Sequence, residues 1–224
     1  MTARTAIERL MQRCETLMLD MDGTLLDLAF DNYMWRQLVP ERYAARHGLG
    51  VDDARDYLFG RYGKVQGDLK WYCLDHWSDE LDMDLLGLHR DMHERIDFLP
   101  GAERFLETMQ ARDIRVVLVT NSHPDTLALK DEVTGVTRYF DAVYTSHDFG
   151  HPKERQPFWE ALRKTEGFDP EAAVMVDDTH AVLHSAMSYG VQGVVAITRP
   201  DTTAPARDGS TDFVDIAGVS DLLT

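Results

Sequence analysis

The stretch LMLDMDGTLL, from Leu17 to Leu26, decides the fold. Its apolar run, Leu17 to Leu19, stops at two carboxylates one residue apart, Asp20 and Asp22, followed by Gly23 and Thr24. Such a run reads as a buried strand that delivers acids to the edge of a sheet. In a parallel sheet covered on both faces the strands are continuously apolar, and ligands bind beyond their carboxyl ends. On an extended strand Asp20 and Asp22 share a face while Met21 points the other way. Two close carboxylates repel unless a cation neutralises them or one keeps a proton. The pair therefore suits a hard-metal site or an acid beside a nucleophile. An aspartate-rich turn closed by glycine is the plain alternative, and this stretch alone does not exclude it.

Working outward, Ile7, Leu10, Met11 and Cys14 fall at helical spacing and predict an amphipathic helix before the strand. After Asp27 the pattern turns helical as far as the Leu99-Pro100-Gly101 turn, too long for an ordinary connection. Phe30, Tyr33, Met34 and Leu38 mark a first helix there, and Asp52 caps a second with Ala54, Tyr57 and Leu58 inward. Leu69, Tyr72, Cys73 and His76 predict one face of a third, and a fourth runs near Leu85 to Ile96. From Ala102 helices alternate with apolar strands. One strand, Val116 to Val119, ends in Thr120-Asn121-Ser122; another, Ala172 to Val176, ends in Asp177-Asp178. Between them a helix runs from Pro124 to Glu132, a short strand lies near Ala142 to Tyr144, and Pro152-Lys153 opens a further helix. A helix from Thr179 carries Leu183, Ala186 and Met187 on one face, followed by a strand at Val194 to Ile197 and an edge strand within Asp212 to Ile216. The alternation implies an α/β, doubly wound, Rossmann-like parallel sheet. The expected division is an α/β core of residues 1–27 and 100–224 with an all-helical subdomain of residues 28–99 inserted.

The chain has 224 residues, 23 basic against 39 acidic, for a formal charge of −16. That balance argues against a nucleic-acid polymer or an anionic membrane as partner, while a small anionic substrate remains open if a metal and a lysine reverse the local field. Two cysteines, Cys14 and Cys73, read as buried thiols in a reducing compartment. The charged amino-terminal segment has no apolar core of a signal peptide, and no run reaches membrane-span length, so the expected location is cytoplasmic.

Three polar clusters at the ends of three apolar strands, Asp20/Asp22, Thr120/Asn121 and Asp177/Asp178, with Lys153 between the last two, are hard to dismiss as turns. They resemble, residue by residue, the four motifs of the haloacid dehalogenase (HAD) superfamily in its phosphatase and phosphotransferase branches. The continuation LLDLAFDNYMWRQLVPE, Leu25 to Glu41, and the strings around Trp71 to Ser78 and Leu118 to Pro124 resemble the bacterial GMP/IMP 5′-nucleotidases of that superfamily. Asp22 argues against the dehalogenase branch, which lacks the second aspartate. Lys153 is followed by Glu154 where many relatives carry proline.

The resemblance implies strand order 5-4-1-2-3, a C1-type helical cap, and Mg²⁺-dependent hydrolysis of a phosphate monoester, Mn²⁺ being an acceptable substitute. It casts Asp20 as the nucleophile and Asp22 as the acid and base. The metal ligands it implies are the Asp20 side chain, the Asp22 backbone carbonyl and Asp177, with Asp178 behind them or acting through water. Thr120, Asn121 and Lys153 would hold the phosphate. It further implies a purine nucleoside monophosphate as substrate, contacted by Asn32, Tyr33, Trp35, Trp71 and His123, and no obligate protein partner. A sugar-phosphate phosphatase or a phosphomutase uses the same core. A glycosyltransferase with a metal-binding DxD is a more distant alternative, with no need of Thr120 or Lys153.

Overall fold

A computed structural model describes residues 3–223. Met1, Thr2 and Thr224, at the limits of the expected core, lie outside the described residues. Six parallel strands form one sheet: β1 (Thr16–Leu19), β2 (Arg115–Thr120), β3 (Ala142–Thr145), β4 (Ala173–Asp177), β5 (Gly193–Ile197) and β6 (Val214–Ile216). Their order is β3-β2-β1-β4-β5-β6, so β1 lies between β2 and β4. This is the expected 5-4-1-2-3 order, extended by β6 beyond β5. Leu19 pairs in register with Leu118 on one side and Val176 on the other. The polar residues that follow all three strands therefore emerge along one edge of the sheet.

Period-two alternation sends each strand's side chains into two separate cores. Leu17 and Leu19 of β1, with Val116, Leu118, Val174 and Val176, pack under helices α1 (Ala3–Gln12), α8 (Ala102–Gln110) and α9 (Pro124–Thr134). Met18, Val117, Val119 and Met175 face the opposite way, against α11 (Gln156–Glu166) and α12 (His180–Tyr189). Phe158, Trp159 and Leu162 are wholly buried there, and each such side chain contributes about 1.5–3 kcal/mol. Layers on both faces bury β1, β4 and β5 along their whole length and β2 after Arg115, as the doubly wound reading requires, whereas the edge strand β3 is only half-buried.

Between β1 and β2 lie α2 (Ala29–Tyr33), a π-helical turn (Met34–Leu38), α3 (Val39–His47), α4 (Val51–Val65), α5 (Leu69–Tyr72), α6 (Leu74–Leu81) and α7 (Leu85–Asp91). They enclose a third core of Val39, Leu58, Tyr62, Trp77 and Leu81. The two connections to this helical insert run side by side: Asp27 N–H donates to Asp97 O and Leu99 N–H to Leu25 O, with Leu26 and Phe98 bridged antiparallel.

Local departures from the periodicity reading have identifiable causes. The helix expected through Leu69, Tyr72, Cys73 and His76 breaks at Cys73, which is extended (φ −86°, ψ 109°) and caps α6 with its sulfur. Helix α4 starts at Val51 after Gly50, so Asp52 sits in its first turn, and Tyr57 and Met187 are exposed where inward positions were expected. Pro152 and Lys153 precede α11 in a turn closed by Arg155 N–H to Pro152 O. Cys14 lies past the end of α1, buried. The remaining helix of the core, α10 (Ser146–Phe149), follows β3 directly and opens with a Thr145–Asp148 capping box.

Candidate active site

Asp20 follows the last residue of β1, and its N–H donates to Val176 O, which ties it to the neighbouring strand. Asp177 ends β4. The ligand oxygens of Asp20, Asp177 and Asp178 lie within 4.8 Å of one another. Lys153 Nζ sits between two of them, 2.5 Å from Asp20 Oδ1 and 2.7 Å from Asp177 Oδ2, and it also donates to Val119 O at 3.0 Å. Asp177 Oδ1 accepts the Thr179 N–H at 2.8 Å, which orients the carboxylate. Gly23, at φ +82°, lets the turn pass so close to Asp178 that a Cβ would stand 2.8 Å from its Cγ.

Burial dominates the electrostatics. It pushes Asp20 up to about 7 against the pull of Lys153, with Asp177 and Asp22 raising it further. Asp177 and Asp178 are pushed up to about 6, again first by burial. Lys153 stays protonated: burial works against its charge, but Asp177 and Asp20 together outweigh it. One lysine among three buried acids leaves an excess of negative charge, and all the facing donors are oxygens. That set fits a hard divalent cation.

Asp22 departs from the extended-strand expectation. The strand has ended, so Asp22 does not share a lysine with Asp20; its Oδ1 accepts from Lys130 Nζ at 2.7 Å. Lys130 also donates to both oxygens of Asp31 on α2, at 2.9 and 2.8 Å. Burial raises Asp22 to about 6, Lys130 opposes, and Asp31 adds to the rise. The neighbouring carboxylate that crowds it most is thus Asp31, from the insert.

Lys130 is a site residue that the sequence reading missed. Helix α9 lacks a clean apolar stripe: Thr126, Leu129 and Lys130 are buried while Val133 is exposed, so nothing in its pattern marks the lysine as inward. Arg207, in the loop after β5, was missed too. Its Nη1 donates to Asp178 O at 2.7 Å and lies 2.9 Å from Asp178 Oδ2.

A cavity of about 920 Å³ opens over these acids, between the sheet edge and the helical insert. Asp20, Asp22, Thr120, Asn121, Lys153 and Asp177 line its floor, and Asp178 and Arg207 its side. Thr120 Oγ1 accepts the Ser122 N–H at 3.0 Å, the turn that its residue type favours, and still has a hydroxyl proton to give. Asn121 is committed through its side chain: Oδ1 accepts the Lys153 N–H and Nδ2 donates to Glu154. Glu154 in turn accepts from the Tyr72 hydroxyl of α5. The residue that stands in place of proline thus links the core to the insert.

On the insert side the lining is aromatic, with Trp35, Tyr62, Trp71 and Trp77. Trp35 is also part of the packing, edge-on to Tyr62, Trp77 and His89. Asn32 and His123 line the cavity, although the Asn32 amide donates to Asp201 at 2.7 Å and His123 Nδ1 accepts the Asp125 N–H at 3.3 Å. Tyr33 does not join them. It turns away from the cavity, packs on the main core, and carries the Arg95 guanidinium over its ring at 4.0 Å.

Residues 14–186 match the family model of haloacid dehalogenase-like hydrolases. The chain is 40% identical over 191 residues to the GMP/IMP nucleotidase YrfG of Escherichia coli (strain K12), covering 85% of this chain and 86% of that one. It is 27% identical over 191 residues to the pyrophosphatase PpaX of Bacillus pumilus (strain SAFR-032), covering 79% and 80%. Among solved structures, a HAD phosphatase from Thermococcus onnurineus shares the fold with a TM-score of 0.77 at 22% identity, over 93% of this chain and 95% of that one. The L-2-haloacid dehalogenase of Xanthobacter autotrophicus shares it at a TM-score of 0.62 and 18% identity, over 93% and 96%. With the acids, the lysine and the sheet order already in place, these likenesses show that the chain belongs to the haloacid dehalogenase-like hydrolases, as an enzyme of the phosphatase type.

Proposed function

We propose that the protein hydrolyses phosphate monoesters, and purine nucleoside 5′-monophosphates in particular, through a phosphorylated Asp20. The observation that carries this reading is Asp20 itself: buried beside Lys153 at 2.5 Å and within 4.8 Å of Asp177 and Asp178, on the floor of a large cavity. In this reading residues 28–99 act as a cap over a core formed by residues 1–27 and 100–224.

The Asp20 carboxylate attacks phosphorus as the ester oxygen departs, forming an acyl phosphate and splitting one difficult displacement into two. Asp22, protonated at the start, gives its proton to the departing alkoxide. It then takes one from the water that attacks the acyl phosphate, which releases inorganic phosphate and restores Asp20. Lys153 keeps Asp20 oriented and places positive charge where the phosphoryl oxygens gather. The Thr120 hydroxyl and backbone N–H groups beside it supply further donors, and the Asn121 side chain holds the Lys153 backbone in place. Asp20, Asp177 and the Asp22 carbonyl would hold Mg²⁺, Mn²⁺ being an alternative, with Asp178 behind them; when bound it supplies charge neutralisation for the phosphoryl group.

The purine preference is supported by the likeness to the E. coli GMP/IMP nucleotidase and by the aromatic wall of Trp35 and Trp71, since ring faces stack on bases for about 1–3 kcal/mol each. Phosphate release from IMP, GMP and a panel of sugar phosphates, with and without Mg²⁺, tests it. IMP and GMP are expected to lead, and equal turnover of sugar phosphates would remove the purine claim while leaving the phosphatase. Asp20→Asn is expected to abolish release without unfolding the chain. Fluoroberyllate captured at Asp20 in the native enzyme supports the acyl phosphate, and full activity in the Asn variant refutes it.

A further inference from the structure

A second group of metal-type donors lies at the joint between insert and core. Cys73, His123 and His147 bring one sulfur and two nitrogens within 4.8 Å of one another. Cys73 sits at the break between α5 and α6, His123 caps α9 after β2, and His147 lies in α10 after β3. The imidazole rings of His123 and His147 stand edge to face, their centroids 4.9 Å apart. His147 Nε2 is buried and has no hydrogen-bond partner among the described residues. Such an orphan is rare in a folded interior and asks for a ligand.

We propose that Cys73, His123 and His147 form a second cation site, for a thiolate- and imidazole-seeking divalent ion of the Zn²⁺ class, separate from the carboxylate site. The donor types select that class over Mg²⁺. Ligand atoms around a tetrahedral Zn²⁺ stand about 3.3–3.8 Å apart, so the group contracts by an ångström or so to close on it. His123 has the orientation partner that such sites use. With the ion on Nε2, Nδ1 must carry the proton, so it gives up the Asp125 N–H that it accepts at 3.3 Å and donates instead toward Asp125 Oδ2, 3.8 Å away. The Asp75 carboxylate, mostly exposed and 3.7 Å from His123 Nε2, or a water, completes four ligands. Binding releases the Cys73 thiol proton. Because Cys73 belongs to the insert while both histidines belong to the core, the ion ties the two together beside the cavity that His123 lines. Occupancy therefore slows turnover by restraining the insert.

Cobalt titration of the full chain, with Mg²⁺ in excess to fill the carboxylate site, tests this. One equivalent of Co²⁺ is expected to produce a thiolate-to-cobalt charge-transfer band and tetrahedral ligand-field bands, which added Zn²⁺ displaces. Cys73→Ser removes the charge-transfer band, and His147→Gln weakens Co²⁺ binding about tenfold or more. Zn²⁺ at the same occupancy lowers kcat severalfold in the native enzyme and not in Cys73→Ser. A native protein with no charge-transfer band overturns the site without recourse to any variant. A band that survives Cys73→Ser assigns the sulfur to Cys14 and overturns it equally.

Discussion

Two buried lysines, each between two aspartates, stand on either side of the same turn, and they do different things. Lys153 joins Asp20 to Asp177, both on strand ends of one sheet, so its triad is as rigid as the sheet. Lys130 joins Asp22, on the turn after β1, to Asp31 on α2 of the insert. The same chemistry therefore serves as a fixture in the first case and as a joint in the second. Both lysines stay charged for the same reason: burial opposes the charge and two carboxylates outweigh it. The difference lies in what each pair is attached to. In the proposed mechanism a lysine across strand ends fixes where phosphorus is attacked, whereas a lysine across the insert junction makes the position of Asp22, the proposed acid, depend on how the insert sits.

The largest expected effect follows from emptying the fixture. Lys153→Met leaves Asp20 and Asp177 buried with no lysine between them, and turnover should fall roughly a hundred- to a thousandfold. The metal-free protein should lose on the order of 3 kcal/mol of stability in denaturant titrations, since breaking a buried pair strands its partner. Next comes the joint. Lys130→Met should lower kcat by roughly ten- to a hundredfold, the range of a misplaced general acid, with a smaller change in KM. Equal losses from both lysines would erase the distinction drawn between them.

A double-mutant cycle sharpens it further. Lys130→Met combined with Asp31→Asn should show a coupling of about 0.5–3 kcal/mol in unfolding experiments, whereas Lys153→Met with Asp31→Asn should be additive. The smallest effect concerns the acids themselves. Asp178 is raised from 3.8 to about 6, chiefly by burial. A raised acid favours the fold below its unfolded value and loses that contribution as pH climbs through the folded one. Asp178→Asn, which mimics the protonated form, should therefore stabilise the metal-free protein at pH 7 by on the order of 1 kcal/mol. The gain should vanish below about pH 4. Melting curves of both proteins at the two pH values decide it, and a gain that persists in acid would assign the effect to packing.

Legibility in the sequence followed the reach of each interaction. Asp20, Thr120, Asp177 and Lys153 could be found because each sits next to a recognisable apolar run or turn, and parallel pairing then aligns their strands at one edge. Glu154 was visible only as a missing proline; its contacts to Asn121 and Tyr72 join segments 33 and 82 residues away. Lys130 had no local signal at all, because its partners lie 108 and 99 residues away in sequence. Tyr33 lies away from the cavity for a related reason: the helix that begins at Ala29 passes into a π-turn at Met34–Leu38, and that extra residue per turn breaks the 3.6-residue periodicity by which a sequence tells the side facing the cavity from the side facing Arg95.

By itself the sequence determined the kind of sheet, the strand ends that carry acids, and the reaction class those acids suit, because backbone pairing and hydrophobic alternation act over a few residues. Only the tertiary structure decided which lysine each acid takes, where the insert rests, and that a thiol and two imidazoles meet at its joint. Those pairings depend on surfaces brought together from distant segments, and no local pattern encodes the distance between them.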